Sequence, residues 1–203
     1  MSQYFAIHPD NPQPRLLARA VDIINGGGLV VYPTDTTYAL GCQIGDKAAL
    51  ERIRQIRRLD KHHHFTLACR DLSEIANYAR VSDVNFRILK QLTPGPFTFL
   101  LPATREVPRR LVHVKKKTIG LRIPGHPVAL GLLEALGAPM MTTTMQLPDD
   151  LLPLADPEEI RERLEHSVDL IIDSGGCGEA STTVVDLTGP QPQVVRQGLG
   201  EFA

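Results

Sequence analysis

Residues 29–41 run Leu29-Val30-Val31-Tyr32-Pro33-Thr34-Asp35-Thr36-Thr37-Tyr38-Ala39-Leu40-Gly41, and the first four of them set the fold class. Two are β-branched, all four are apolar or aromatic, and Pro33 ends the run, so 29–32 is expected to be a buried strand entering a polar turn at 34–37. Working backward, Leu17, Ala18, Val21, Ile23 and Ile24 recur at mostly helical spacing from Pro14 onward. Asn25 and Gly26-Gly27-Gly28 stop that helix. Working forward, Asp46 suits an N-cap for a helix carrying Leu50, Ile53 and Ile56, and Phe65-Thr66-Leu67-Ala68 is the next strand. The alternation continues with helices expected at 72–79, 83–91, 127–136 and 157–165. Extended segments are expected at 97–101, 118–123, 139–144, 168–172, 182–187 and 193–196. Strands alternating with helices predict a single α/β domain built on one sheet. Two turn-rich or charged stretches, 102–117 and 147–157, are expected to be exposed, mobile loops.

The chain has 203 residues and is 42% hydrophobic, enough for one sizeable core. Its 22 Lys and Arg against 23 Asp and Glu mean that any affinity for a polyanion must come from clustering rather than net charge. Cys42, Cys69 and Cys177 are far apart and odd in number, which argues against a disulfide framework and points to a reducing, cytoplasmic setting. No segment approaches the ~20 apolar residues of a membrane-spanning helix, so no membrane partner is expected.

Charge does cluster. The helix after Asp46 places Arg54, Arg57, Arg58 and Lys61 at i, i+3, i+4 and i+7, so four cations share one face with little acidic pairing on it. Arg109-Arg110, Lys115-Lys116-Lys117 and Arg122 add further cations. A lone basic helix face is more often an ordinary solvated one, but several clusters together favour an anion site. A duplex RNA or tRNA surface made by Arg54, Arg57, Arg58, Lys61, Lys115, Lys116 and Lys117 is one form of it. With no Trp and few other aromatic residues, phosphate contacts rather than base stacking would dominate.

Other chemistries find little support. His62-His63-His64 are adjacent and point in different directions, so a metal-free loop is the better reading. There is no nucleophile elbow, and Gly26-Gly27-Gly28 precedes a strand instead of opening a helix, the wrong context for a dinucleotide fingerprint. Three hydroxyl-rich segments remain: 33–41, Thr142 to Gln146, and Ser181 to Asp186. Turn capping explains any one of them. Strand-end hydroxyls are also suited to phosphate and ribose oxygens, and open α/β sheets place ligands at such ends.

In this order these segments resemble the YrdC-like family, whose members include threonylcarbamoyl-AMP synthases of tRNA t6A formation, and the likeness is to its YciO branch. Further carriers of the resemblance are Leu92-Thr93-Pro94-Gly95-Pro96-Phe97-Thr98, Thr118 to Pro127, and Val195-Arg196-Gln197-Gly198. The resemblance implies a twisted, mostly mixed sheet with flanking helices and a basic concave cavity. It implies synthesis of threonylcarbamoyl-adenylate from L-threonine, bicarbonate and ATP. An ATP- or AMP-type nucleotide, accompanied by Mg2+, is the implied cofactor. Carried over by position, Thr34 and Arg122 would meet the threonine and Ser181 and Thr182 would line the shared wall. Thr118, Thr142, Thr144 and Arg196 would border the nucleotide.

The family's K-x-R and S-x-N signatures are only half kept. Arg57 stands at the lysine position, Leu59 at the arginine and Asp60 at the following proline; Thr144 replaces serine and Gln146 replaces asparagine. Arg57, Arg58, Thr144 and Gln146 are the catalytic candidates, with Arg58 the available substitute for the lost arginine. Three functions stay open: an altered threonylcarbamoyl-adenylate enzyme, including one that hydrolyses the adenylate; an RNA-binding module; and a nucleotide sensor.

Overall fold

The computed structural model of the protein describes residues 1–60, 63 and 65–202. Its first half runs β1 (Gln3–Ala6), α1 (Pro14–Asn25), β2 (Val30–Tyr32), β3 (Ala39–Gln43), α2 (Lys47–Arg57), β4 (Thr66–Ala68), α3 (Leu72–Tyr78), α4 (Asp83–Leu92) and β5 (Phe97–Pro102). The second half adds β6 (Thr118–Arg122), α5 (Pro127–Leu136), β7 (Met140–Thr144), α6 (Pro157–Leu164), β8 (Leu170–Asp173), β9 (Thr183–Asp186) and β10 (Gln193–Arg196). All ten strands join one sheet in the order β1-β8-β2-β3-β7-β4-β6-β5-β9-β10. It is mixed: β2, β3, β7 and β4 are joined by antiparallel pairings, whereas β4 and β6, and β5 and β9, run parallel.

Helices pack on both faces of the sheet, and the two-residue period of a strand sorts its side chains between them. Val30, Tyr32, Ala39, Ala68, Met140, Leu170 and Ile172 pack with Leu17, Ala20, Val21 and Ile24 of α1 and with Val128, Ala129, Leu132 and Leu133 of α5. Their neighbours Val31, Leu40, Leu67, Met141 and Ile171 point the other way, into a larger core with Leu50 and Ile53 of α2, Ile75 of α3, Leu89 of α4 and Ile160 of α6. The helices begin where local chemistry asks: Pro14, Pro127 and Pro157 occupy first-turn positions, and the Asp46, Asp71 and Asp156 carboxylates accept backbone N–H bonds as N-caps.

Three expectations need correction. β1 and β3 are strands that local pattern did not announce; β3 is built from small residues and is held by β2 on one side and β7 on the other. The stretches 102–117 and 147–157 are loops but not simply exposed, because Val107, Leu111 and Leu154 are buried in the larger core. The cationic helix face does not exist as drawn. α2 ends at Arg57, Arg58 takes a left-handed conformation (φ 47°), and the Leu59 and Arg58 N–H groups bond back to the Arg54 and Gln55 carbonyls. That is a Schellman closure, and Leu59, packed against the core, supplies its apolar contact. Lys61 lies outside the described residues.

Candidate functional site

The helices α1 and α5 cover only part of their face of the sheet. Beyond them a row of cross-strand neighbours lies open: Thr142 of β7 opposite Thr66 of β4, Thr66 opposite Gly120 of β6, and Gly120 opposite Leu100 of β5. Thr98 and Val184 extend the row to β9. This row floors a cavity of about 620 Å³, lined by seven threonines and one serine. A volume in the range ~300–1,000 Å³ suits a small molecule. Gly120 keeps the floor low, since a Cβ there would stand 2.7 Å from Thr66 Oγ1. Gly198 permits the chain to close the far wall, since a Cβ there would stand 2.2 Å from the Ser181 carbonyl oxygen.

The hydroxyls are pre-set. Tyr32 and Thr142 share a 2.7 Å hydrogen bond and Thr98 and Thr182 share one of 2.9 Å. From edge strand β10, Arg196 donates to the Thr182 carbonyl oxygen at 2.9 Å. Arg57, Arg58, Arg122 and Arg196 line the cavity, whereas Asp60 is the one carboxylate among its described lining residues.

Arg196, bonded to the Thr182 carbonyl and hydroxyl oxygens, meets only neutral acceptors among the described residues, and so does Arg57. Arg57 donates from Nε to the Gln146 carbonyl at 2.8 Å and from Nη1 to Thr143 Oγ1 at 2.5 Å, both neutral acceptors, and among the described residues it forms no ion pair. Burial lowers its guanidinium to about 10, so it is still charged at neutral pH. Arg122 is differently held: Asp35 accepts from its Nη2 at 2.5 Å, and Thr36 lies 3.5 Å from Nη1. Its Nε and the second Asp35 oxygen are buried without partners. Buried polar groups of this kind are ordinarily satisfied by protein, water or ligand.

Most sequence-derived candidates meet at this cavity: Arg57, Arg58, Arg122, Thr142, Thr144, Gln146, Ser181, Thr182 and Arg196 all line it. Two do not. Thr34 spends its hydroxyl on its own turn, donating to the Thr37 carbonyl at 2.6 Å, and it is Thr37 that reaches the lining. Thr118 lies one pleat beyond Gly120, its hydroxyl buried without a partner and off the lining. Gln146 does line the cavity, but its amide donates at 3.0 Å to the Asp150 carbonyl and so ties down the following loop. Thr143, within the hydroxyl-rich segment 142–146, lines the cavity as well, whereas Thr66 and Thr98 line it unforeseen, because only the pairing register brings them there. The basic surface is likewise divided: Arg54 pairs with Glu51 at 2.9 Å and lies over the Phe65 ring, Arg57 turns inward, and Lys116 reaches Asp186 at 3.5 Å. Among the described residues no group of three His, Cys, Asp or Glu is arranged to hold a metal ion, and no helix is long and apolar enough to cross a membrane.

Comparison with known proteins gives a consistent picture. Residues 22–198 match the Sua5–YciO–YrdC family model, described as "Telomere recombination". The chain is 57% identical to the YciO protein of Escherichia coli K12 over 99% of its own length and 98% of that protein's. The crystal structure of E. coli YciO superposes with a TM-score of 0.96 over 99% of this chain and 98% of that one. The threonylcarbamoyl-AMP synthase of Nitrosococcus oceani is 37% identical over 66% of this chain and 71% of its own. The structure of P. abyssi Sua5 complexed with L-threonine shares the fold at TM-score 0.89 and 24% identity, covering 97% of this chain and 58% of that one.

Proposed function

The chain belongs to the Sua5–YciO–YrdC family, related to the threonylcarbamoyl-AMP synthases of tRNA modification, and on that premise we propose that its cavity holds an adenylate. The ligand class is AMP or threonylcarbamoyl-AMP, and the protein hydrolyses such an adenylate more readily than it makes one. The observation that carries this reading is Arg57, a half-buried cation bonded only to neutral oxygens at the wall of a hydroxyl-lined cavity. A phosphate there supplies the missing counter-charge.

The same geometry supports weak synthesis. Building the adenylate requires the triphosphate and the attacking carbamate to be held in line while charge builds on the departing pyrophosphate. The family's second cation is Leu59 here, committed to the helix closure and the core, and the Gln146 amide is committed to the loop at 147–151. Hydrolysis needs only the monophosphate and a water at the mixed anhydride, releasing AMP and the carbamate of threonine. Arg122, which Asp35 holds in orientation, would clamp the threonine carboxylate. Mg2+ would arrive with the nucleotide phosphates, since Asp60 is the one carboxylate among the described lining residues.

The test is to incubate the protein with ATP, L-threonine and bicarbonate, and separately with preformed threonylcarbamoyl-AMP. AMP release from the adenylate, outpacing pyrophosphate release in the first mixture, is expected. Vigorous pyrophosphate release dependent on threonine would overturn it.

RNA binding is a second reading, favoured by one observation: Arg109, Arg110, Lys115, Lys116 and Lys117 are all exposed on one loop. If roughly three phosphates are neutralised, duplex RNA affinity should fall with a log–log salt slope near −3. Filter binding that is absent at low salt, or insensitive to changing Lys115, Lys116 and Lys117 to Ala, removes this reading.

A further inference from the structure

We propose that a second, smaller cavity beside the C-terminal end of α2 is an oxyanion subsite for phosphate or pyrophosphate, either as the terminal phosphates of a bound nucleotide or as the freed ion. The inference rests on the reading of the main cavity as a nucleotide site and adds where a polyphosphate tail is received. The cavity measures about 270 Å³, and Arg54, Arg109, Arg110 and His113 contribute its polar lining, with no carboxylate among the described lining residues. His63 lines both this cavity and the main one, so the two adjoin.

The subsite is built rather than a chance meeting of surface side chains. Arg54 is fixed by its ion pair with Glu51 at 2.9 Å and by the Phe65 ring 5.5 Å beneath its guanidinium, yet its Nε is buried with no partner among the described residues. The opposing loop is anchored on both sides of Arg109 and Arg110 by the buried Val107 and Leu111. Backbone bonds from Leu111 to the Pro108 carbonyl at 2.8 Å and from His113 to the Thr118 carbonyl at 2.9 Å set its course. The Lys116 N–H donates to His113 Nδ1 at 3.0 Å, which fixes the orientation of that ring at the cavity wall. Arg109 and Arg110 bring two further guanidiniums to the same small space as Arg54, whose charge Glu51 meets on one side, and a doubly or more highly charged oxyanion turns the repulsion between them into charge-assisted hydrogen bonds.

Calorimetric titration of the full-length protein with inorganic pyrophosphate, AMP and ATP tests this. In Arg109→Ser/Arg110→Ser, pyrophosphate affinity should drop by roughly 10-fold or more, the loss of a charge-assisted hydrogen bond, with AMP affinity and the melting temperature little changed. Lys115→Ser/Lys117→Ser, which removes the same charge elsewhere on the loop, should leave pyrophosphate affinity within about 2-fold, the scale of a screened surface charge. A parallel fall in ATP affinity assigns the subsite to the nucleotide's terminal phosphates, and an unchanged one assigns it to the freed ion. Failure of the parent protein to bind pyrophosphate, or an equal loss in both double variants, overturns the subsite. Binding of pyrophosphate without AMP would instead keep the subsite and remove the nucleotide reading of the main cavity.

Discussion

One face of the sheet carries two regions built on the same alternation but filled with different residues. Under α1 and α5 the inward positions are Val30, Tyr32, Ala68, Met140, Leu170 and Ile172, and the helices seal them with Leu17, Ile24, Leu132 and Leu133. Two residues along β7 and β4, and onward into β6 and β5, the same pleat presents Thr142, Thr66, Gly120 and Thr98, and arginines stand at the rim. The difference shows that the site needs no special backbone. Short hydroxylated side chains and glycines at positions that would otherwise be core leave a polar hollow whose floor is as rigid as the sheet itself. Stability should therefore be concentrated in the first region and ligand affinity in the second.

The largest expected separation comes from the sealed region. Leu132 is fully buried, and Leu132→Ala should lower unfolding free energy by ~2–5 kcal/mol in denaturant titration while leaving nucleotide affinity unchanged. A stability loss with an equal affinity loss would mean that the regions are not separable.

Next is Leu59→Arg combined with Gln146→Asn, which rebuilds the family signature at the rim. Pyrophosphate release should rise by about 10²-fold, the scale of one well-placed transition-state donor. Stability should fall, because Leu59 provides the apolar contact of the helix closure and Gln146 holds its loop. No gain in synthesis in a folded double variant would show that another residue limits it.

Arg57→Ala should weaken AMP binding by ~1.5–3 kcal/mol. Its effect on stability should be neutral or favourable, since a cation bonded only to neutral oxygens is removed. A structural arginine would show the reverse pattern.

The smallest effect is a pH dependence at the seam between the regions. His126 caps α5 by accepting the Val128 N–H at 3.2 Å on Nδ1, and burial lowers its pKa against the opposing pull of Asp35 and Asp10. A protonated ring cannot accept, so the unfolded chain takes up the proton first. This contribution is complete above the unfolded value of about 6.5 and is lost as pH falls through it, a change of under about 1 kcal/mol. His126→Asn, which caps without titrating, should flatten the stability profile between pH 7 and 5; an unaltered profile would assign the slope to other groups.

Much of this was legible in advance wherever local chemistry decides. Asp46 announced α2, and the β-branched run before Pro33 announced β2. β3 was not legible because Ala39-Leu40-Gly41-Cys42-Gln43 has weak strand preference of its own, and its partners are set by long-range pairing. The cavity was legible through its arginines and its strand-end hydroxyls. Thr66 and Thr98 were missed because register brings them to the floor, and Thr34 stands off the lining with its hydroxyl closing its own turn. The four-cation face failed at one residue. Arg58 adopts the left-handed conformation usually left to glycine, and helical periodicity stops there.

The most direct test of the central claim, that the uncovered part of the face is the nucleotide site, is a two-dimensional amide NMR titration of the labelled protein with AMP. The account predicts saturable shifts at Thr66, Gly120, Thr142 and Thr182, with Leu132 and Leu133 under α5 unmoved. Shifts confined to the loop around Arg109 and Lys115, or no saturable shifts, would contradict it.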